Sequence, residues 1–157
     1  MKHEILVYNK TERRIPEKLV KSVILRTLKF LQIKQPVELA VLFVSPSEIQ
    51  RLNKVWRHKN YTPDELSFGL NSRQTAEPAC RQAGLAKSKN KVLELGEIVI
   101  NVACLPVGKD KISDKNYLTV IIAHSLLHLL GYHHEKSVAE AKKIERLEER
   151  ILKYLKI

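Results

Sequence analysis

The spacing of apolar residues changes character several times along the chain, and each change predicts an element. Glu4 to Tyr8 is a short apolar run closed by Asn9-Lys10-Thr11, the pattern of a first strand. After Pro16, which suits a helix start, Leu19, Val20, Val23, Ile24, Thr27, Leu28 and Leu31 recur with helical spacing up to Pro36. Val37 to Val44 is nearly all apolar and predicts a buried strand. Ser45-Pro46-Ser47-Glu48 then has the form of a capping box, with serine as N-cap and proline at the first helical position. It opens a short helix whose inward face is Ile49, Leu52 and Trp56. Glu65 to Leu70 and Leu93 to Val102, each holding a glycine, predict a third and a fourth strand. Between them, Asn71 to Lys91 is polar and interrupted by Pro78 and Gly84, which predicts a long basic loop.

Two helices close the chain, and their patterns differ. Glu135 to Ile157 carries a stripe of Val138, Ala141, Ile144, Leu147, Ile151 and Leu155, with Glu149 and Lys153 set as a favourable i, i+4 pair. The segment before it, capped by Ser113 or Asp114, is apolar on nearly every side: Leu118, Val120, Ile121, Ile122, Ala123, Leu126, Leu127, Leu129 and Leu130. Helices of that kind are buried. The order βαβαββαα lacks the regular alternation of an α/β fold. It predicts one α+β domain over residues 1–157, with helices around a small mixed four-stranded sheet.

Inside the apolar helix stand His124 and His128. At about 100° per residue, a separation of four brings two side chains within roughly 40° on one face. Gly131 supplies a left-handed stop, and His133-His134 follows where the chain turns back. A lone histidine on an apolar helix is usually a hydrogen-bonded core residue. A pair at i, i+4 with a third beyond a glycine break predicts a transition-metal site, most naturally zinc, with the fourth position open. Spacing leaves both His133 and His134 as third ligands.

Composition then narrows the partners. A net charge of +11 favours an anionic partner, nucleic acid before membrane. Cys80 and Cys104 are far apart and outside any C-x-x-C pattern, so they read as free thiols in a reducing compartment. Ile5 to Tyr8 is too short for a signal peptide, and no run approaches the roughly 20 apolar residues of a membrane helix. The expected location is the cytoplasm.

Three histidines and an open position make hydrolysis the default chemistry, since zinc acidifies water and polarises carbonyl or phosphoryl oxygens. A structural zinc would more often have four protein ligands. A metalloprotease helix has glutamate after its first histidine as general base; here Ser125 stands there, and a hydroxyl cannot take that proton at neutral pH. An anionic phosphodiester depends less on such a base, because metal and arginine neutralise its charge.

His124-Ser125-Leu126-Leu127-His128-Leu129-Leu130-Gly131-Tyr132-His133-His134 resembles the H-[GS]-x-L-H-L-x-G-Y-D-H pattern of the YbeY family of bacterial endoribonucleases. Two further blocks agree in order and spacing. Asn53 through Arg57 to Asp64-Glu65-Leu66-Ser67-Phe68 resembles N-x3-R and P-T-D-V-L-S-F, and Gly96-Glu97-Ile98-Val99-Ile100 resembles G-D-I-x-I. His133 stands in place of the family's aspartate, and Glu65 where valine is common.

The resemblance implies a zinc-hydrolase-like α+β fold and a metal-dependent, single-strand-specific endoribonuclease acting in ribosome quality control and rRNA maturation at the small-subunit 3′ end. It places the metal ligands on His124, His128 and His134 and a functional arginine on Arg57. It implies one Zn2+ per chain, with other divalent transition metals compatible. Single-stranded RNA and the small ribosomal subunit are the expected partners, with no membrane and no DNA. The alternative is a ribosome- or RNA-binding factor whose metal is structural and whose catalysis is weak or lost.

Overall fold

The computed structural model describes residues 3–70, 92–105, 111–132 and 137–156, those of 111–114 by backbone alone. The expected loop at 71–91, Cys80, His133 and His134 lie outside the described residues.

The strands are β1 (Glu4–Asn9), β2 (Val37–Val44), β3 (Glu65–Gly69) and β4 (Leu93–Asn101). They form one mixed sheet in the order β1-β2-β4-β3. β1 and β4 each run parallel to β2, while β3 pairs antiparallel with β4 and leaves one edge of the sheet. Four α-helices lie among the described residues: α1 (Glu17–Phe30), α2 (Pro46–Arg57), α3 (Lys111–Leu129) and α4 (Val138–Leu155). The expected class holds: one α+β domain with helices around a small mixed sheet.

Strand alternation divides the apolar residues between two faces. Leu39, Val41 and Phe43 of β2, with Ile98 and Ile100 of β4, join the buried residues of α1, α3 and α4 in the main core. Val44, Leu66 and Val99 point the other way and meet Ile49 of α2 in a smaller cluster. Phe43, Ile122, Leu126 and Leu130 of the main core are each below 2% exposed, and their burial holds α3 against the sheet.

Several local signals act as the sequence predicts. The Ser45 hydroxyl accepts from the Glu48 backbone N–H at 3.3 Å, and Pro46 begins α2. Gly96 has φ +115°, and a Cβ there would lie 2.0 Å from the Phe68 carbonyl oxygen, so only glycine allows β3 to approach β4. Two of the basic residues serve the fold. Arg13 donates to the carbonyls of Val102 and Leu105 at 2.7 and 2.8 Å, and Arg26 donates to that of Tyr154 at 2.8 Å near the end of α4.

Other expectations require correction. Trp56 is 62% exposed and not part of the core, because the last turn of α2, residues 54–57, faces solvent as a whole; its ring meets the Phe68 ring edge-on. Val138 is 75% exposed at the outer end of α4. Helix α3 begins at Lys111, so Ser113 and Asp114 lie within its first turn and do not cap it. The cap of α4 is Ser137, which accepts from the Glu140 N–H at 3.1 Å. Glu149 and Lys153 form no ion pair, in keeping with the small gain available to exposed pairs.

Candidate metal centre

The centre is built on the second half of α3. Ile121, Ile122, Ala123, Leu126, Leu127, Leu129 and Leu130 are all buried, so the helix cannot rotate without exposing apolar surface. Its end is a Schellman turn: Gly131, at φ +87°, donates to the His128 carbonyl, and Tyr132 donates to that of Leu127, each at 3.0 Å. The chain leaves the helix within one turn of His128, heading towards 133–134.

His124 and His128 lie together as their spacing requires. Their rings meet edge to face with centroids 4.4 Å apart, and the two Nε2 atoms are 2.8 Å apart. At that distance one ring donates its N–H to the lone pair of the other, a hydrogen bond that a cation bound between them would replace. Two imidazoles on a tetrahedral zinc would hold their nitrogens roughly 3.3 Å apart, given bonds of about 2.0–2.1 Å. The difference is about half an ångström, within reach of small side-chain rotations. The donor set of these two residues therefore fits zinc. Among the described residues no group of three or more His, Cys, Asp or Glu side chains is set to hold a metal; His134, the third ligand implied by the resemblance, lies outside them.

The other nitrogen of His124 is engaged as well. Nδ1 lies 3.2 Å from Oε1 and 3.5 Å from Oε2 of Glu148, on α4. Glu148 holds the pKa of His124 above its ordinary value through this hydrogen bond; burial opposes the shift, and the charges of Glu148 and Glu65 add to it. Sequence reading missed Glu148. Its signal was present: Ile144, Glu148, Ile151 and Leu155 follow one helical stripe, and a glutamate there faces inward.

A second carboxylate comes from β3. Ser125, fully buried, donates its hydroxyl to Oε2 of Glu65 at 2.9 Å, and Ser67 donates to the same oxygen at 2.9 Å. Ser125 thus ties α3 to the edge strand, and a carboxylate lies beside the helix position where a metalloprotease carries its own. Next to it, Tyr117 donates to Asp64 at 3.0 Å. Burial, then this bond, pushes the phenol above its ordinary pKa. Cys104 is also raised, first by burial and then by the Asp64 charge, which leaves it a poor nucleophile near neutral pH.

Arg57 is carried by a different helix from the histidines. It ends α2, on the opposite face of the sheet from α3, is exposed, and forms no hydrogen bond or ion pair with either histidine. Its helix end is held by Asn53, fully buried, whose Nδ2 donates to the Tyr61 carbonyl at 3.0 Å. His58 follows in the left-handed conformation, at φ +56°.

Comparison with known proteins gives a consistent picture. The model of the family described as "Endoribonuclease YbeY" matches residues 6–156. The chain is similar to the endoribonuclease YbeY of Thermodesulfovibrio yellowstonii, 35% identical over 136 residues, covering 83% of this chain and 76% of the relative. It is also similar to that of Bartonella quintana, 33% identical over 146 residues and covering 91% and 82%. With that of Syntrophomonas wolfei it shares 31% identity over 160 residues, covering 98% of each. Among solved structures, the solution structure of TM1509 from Thermotoga maritima shares the fold, with a TM-score of 0.52 at 19% identity, covering 97% of this chain and 91% of that one.

Proposed function

The chain belongs to the YbeY endoribonuclease family, and from that premise we propose that it is a zinc-dependent endoribonuclease cutting single-stranded RNA. The observation that carries this reading is the convergence of the His124 and His128 Nε2 atoms, 2.8 Å apart, on a buried helix. His124, His128 and His134 would hold the ion. A zinc ion there supplies Lewis-acid polarisation of a phosphoryl oxygen and makes water a nucleophile near neutral pH.

The protein's own residues do the rest. The apolar residues of α3 anchor the helix while His124 stays one-third exposed, so the ring nitrogens are held in place yet open to substrate. Glu148 accepts the His124 Nδ1–H and leaves Nε2 as the donor lone pair. The edge strand β3 separates the histidine face from the α2 face, so an RNA strand laid across that edge passes both. Arg57 then takes a phosphate bidentately and steadies its charge. Excess cationic charge, 28 Lys and Arg against 17 Asp and Glu, attracts the backbone without regard to sequence. RNA affinity therefore falls linearly with salt on logarithmic axes.

The substrate that suits this reading is rRNA at the small-subunit 3′ end, met on the small ribosomal subunit in the cytoplasm during maturation and quality control. No helix among the described residues is long and apolar enough to cross a membrane.

The test is cleavage of a labelled single-stranded RNA by the wild type beside His128→Ala prepared identically, with zinc content measured in both. Cleavage by the wild type alone supports the proposal. Equal cleavage by both marks a contaminating nuclease. Silence in both, with zinc bound to the wild type, leaves a ribosome-binding factor with a structural metal.

A further inference from the structure

Glu148 occupies a position that packing alone would give to an apolar residue. It lies between Ile144 and Ile151 on the inward stripe of α4, both of them buried, and its own side chain is only 18% exposed. A carboxylate taken out of water costs several kcal/mol unless hydrogen bonds or charges compensate it. One group that meets it is His124 Nδ1, at 3.2 Å from one oxygen and 3.5 Å from the other. The two residues are 24 positions apart and come from different helices, so the contact exists only because α4 packs on α3.

We propose that Glu148 is a positioning residue for the metal site: its carboxylate accepts the His124 Nδ1–H, fixing the ring so that Nε2 faces His128 as a ligand. This inference rests on the metal reading above. The chemistry is general. A neutral imidazole has one N–H and one lone pair, and a hydrogen bond on one nitrogen decides which tautomer is present at the other. A carboxylate on the far nitrogen also makes the ligating nitrogen more basic, and losing such a partner typically costs 10–100-fold in metal affinity. An exposed carboxylate would do this weakly, because water would compete for the N–H.

A packing role and a positioning role predict different measurements. Zinc affinity is read by competition with a chromophoric chelator for the wild type, Glu148→Gln, Glu148→Ala and His128→Ala. The His124 tautomer is read in the metal-free proteins by NMR of 15N-labelled histidine at pH 9, where neutral rings are compared. The expected result is a 10–100-fold loss of zinc affinity in Glu148→Ala, with His124 changing from a single Nδ1–H tautomer to a mixture. Glu148→Gln keeps an acceptor oxygen but no charge. It should keep the tautomer and lose less affinity, and being nearly isosteric it carries the test if Glu148→Ala does not fold.

Unchanged affinity and an unchanged tautomer in both variants would overturn the proposal and leave Glu148 as a packing residue. A loss in Glu148→Gln as large as that in His128→Ala would also overturn it, making Glu148 a ligand. A wild type that binds no zinc would remove the metal reading itself, and this inference with it. A wild type that binds zinc while Glu148→Ala binds equally well would remove this inference alone.

Discussion

Helices α2 and α3 lie on opposite faces of the same sheet and carry the two kinds of residue singled out for chemistry. On α3 the half-buried histidines stand on an apolar helix anchored by Leu126, Leu127 and Leu130, at 0 to 1% exposure. On α2 only Ile49 and Asn53 are buried, and the last turn holds Val55, Trp56 and Arg57 out in solvent. The contrast suits the roles proposed for the two groups. Imidazole lone pairs that hold a metal must be fixed to a few tenths of an ångström, which rigid packing provides. A guanidinium that captures a mobile phosphate must reach into water, where packing would only restrain it.

This comparison can be broken first at the packed face. Leu126→Ala should cost about 3 kcal/mol and lower Tm by about 10 °C, measured by thermal unfolding, because a cavity opens on the buried face of α3, opposite the histidines. A loss near zero would mean that α3 is not the rigid platform described. On the exposed face, Arg57→Ala should lower kcat for RNA cleavage about 100-fold while zinc content and Tm stay at wild-type values. Arg57→Lys should recover little of it, since an ammonium cannot grip a phosphate with two parallel bonds. A drop in Tm comparable to that of Leu126→Ala would show that Arg57 is structural.

The hinge between the two behaviours is Asn53. Removing its side chain deletes the bond to the Tyr61 carbonyl, yet Oδ1 is buried without a partner and its loss offsets part of the cost. Asn53→Ala should therefore destabilise by only about 1 kcal/mol, seen in urea unfolding, while freeing the end of α2 and weakening the effect of Arg57 on kcat. Smallest of all, Trp56→Ala should change stability by less than about 1 kcal/mol, since the ring has one edge-on aromatic contact and is mostly in water. If it proved as costly as Leu126→Ala, the exposed description of the last turn of α2 would be wrong.

Where the pattern this stretch resembles has aspartate, position 133 is a histidine here, which on the sequence alone removes one carboxylate from beside the proposed metal ligands. The structure shows carboxylates arriving from elsewhere: Glu148 on α4 at the ring of His124, and Glu65 on β3 at the hydroxyl of Ser125. Neither is adjacent in sequence to the residue it meets.

What the sequence determined alone is what short-range geometry controls. Helical spacing put His124 and His128 on one face, Gly131 ended their helix, and the Ser45 cap with Pro46 started α2, because each depends on bonds between residues close in sequence. The alternation of Leu39, Val41 and Phe43 likewise set which side of β2 meets the main core. The strand order β1-β2-β4-β3, the exposure of Trp56, and the pairing of Glu148 and Glu65 with residues 24 and 60 positions away were decided only by tertiary structure. A contact between distant segments leaves no periodicity to read. It is fixed by which apolar faces cover one another, and at Glu148 that packing turns an acidic residue on a helix stripe towards the imidazole.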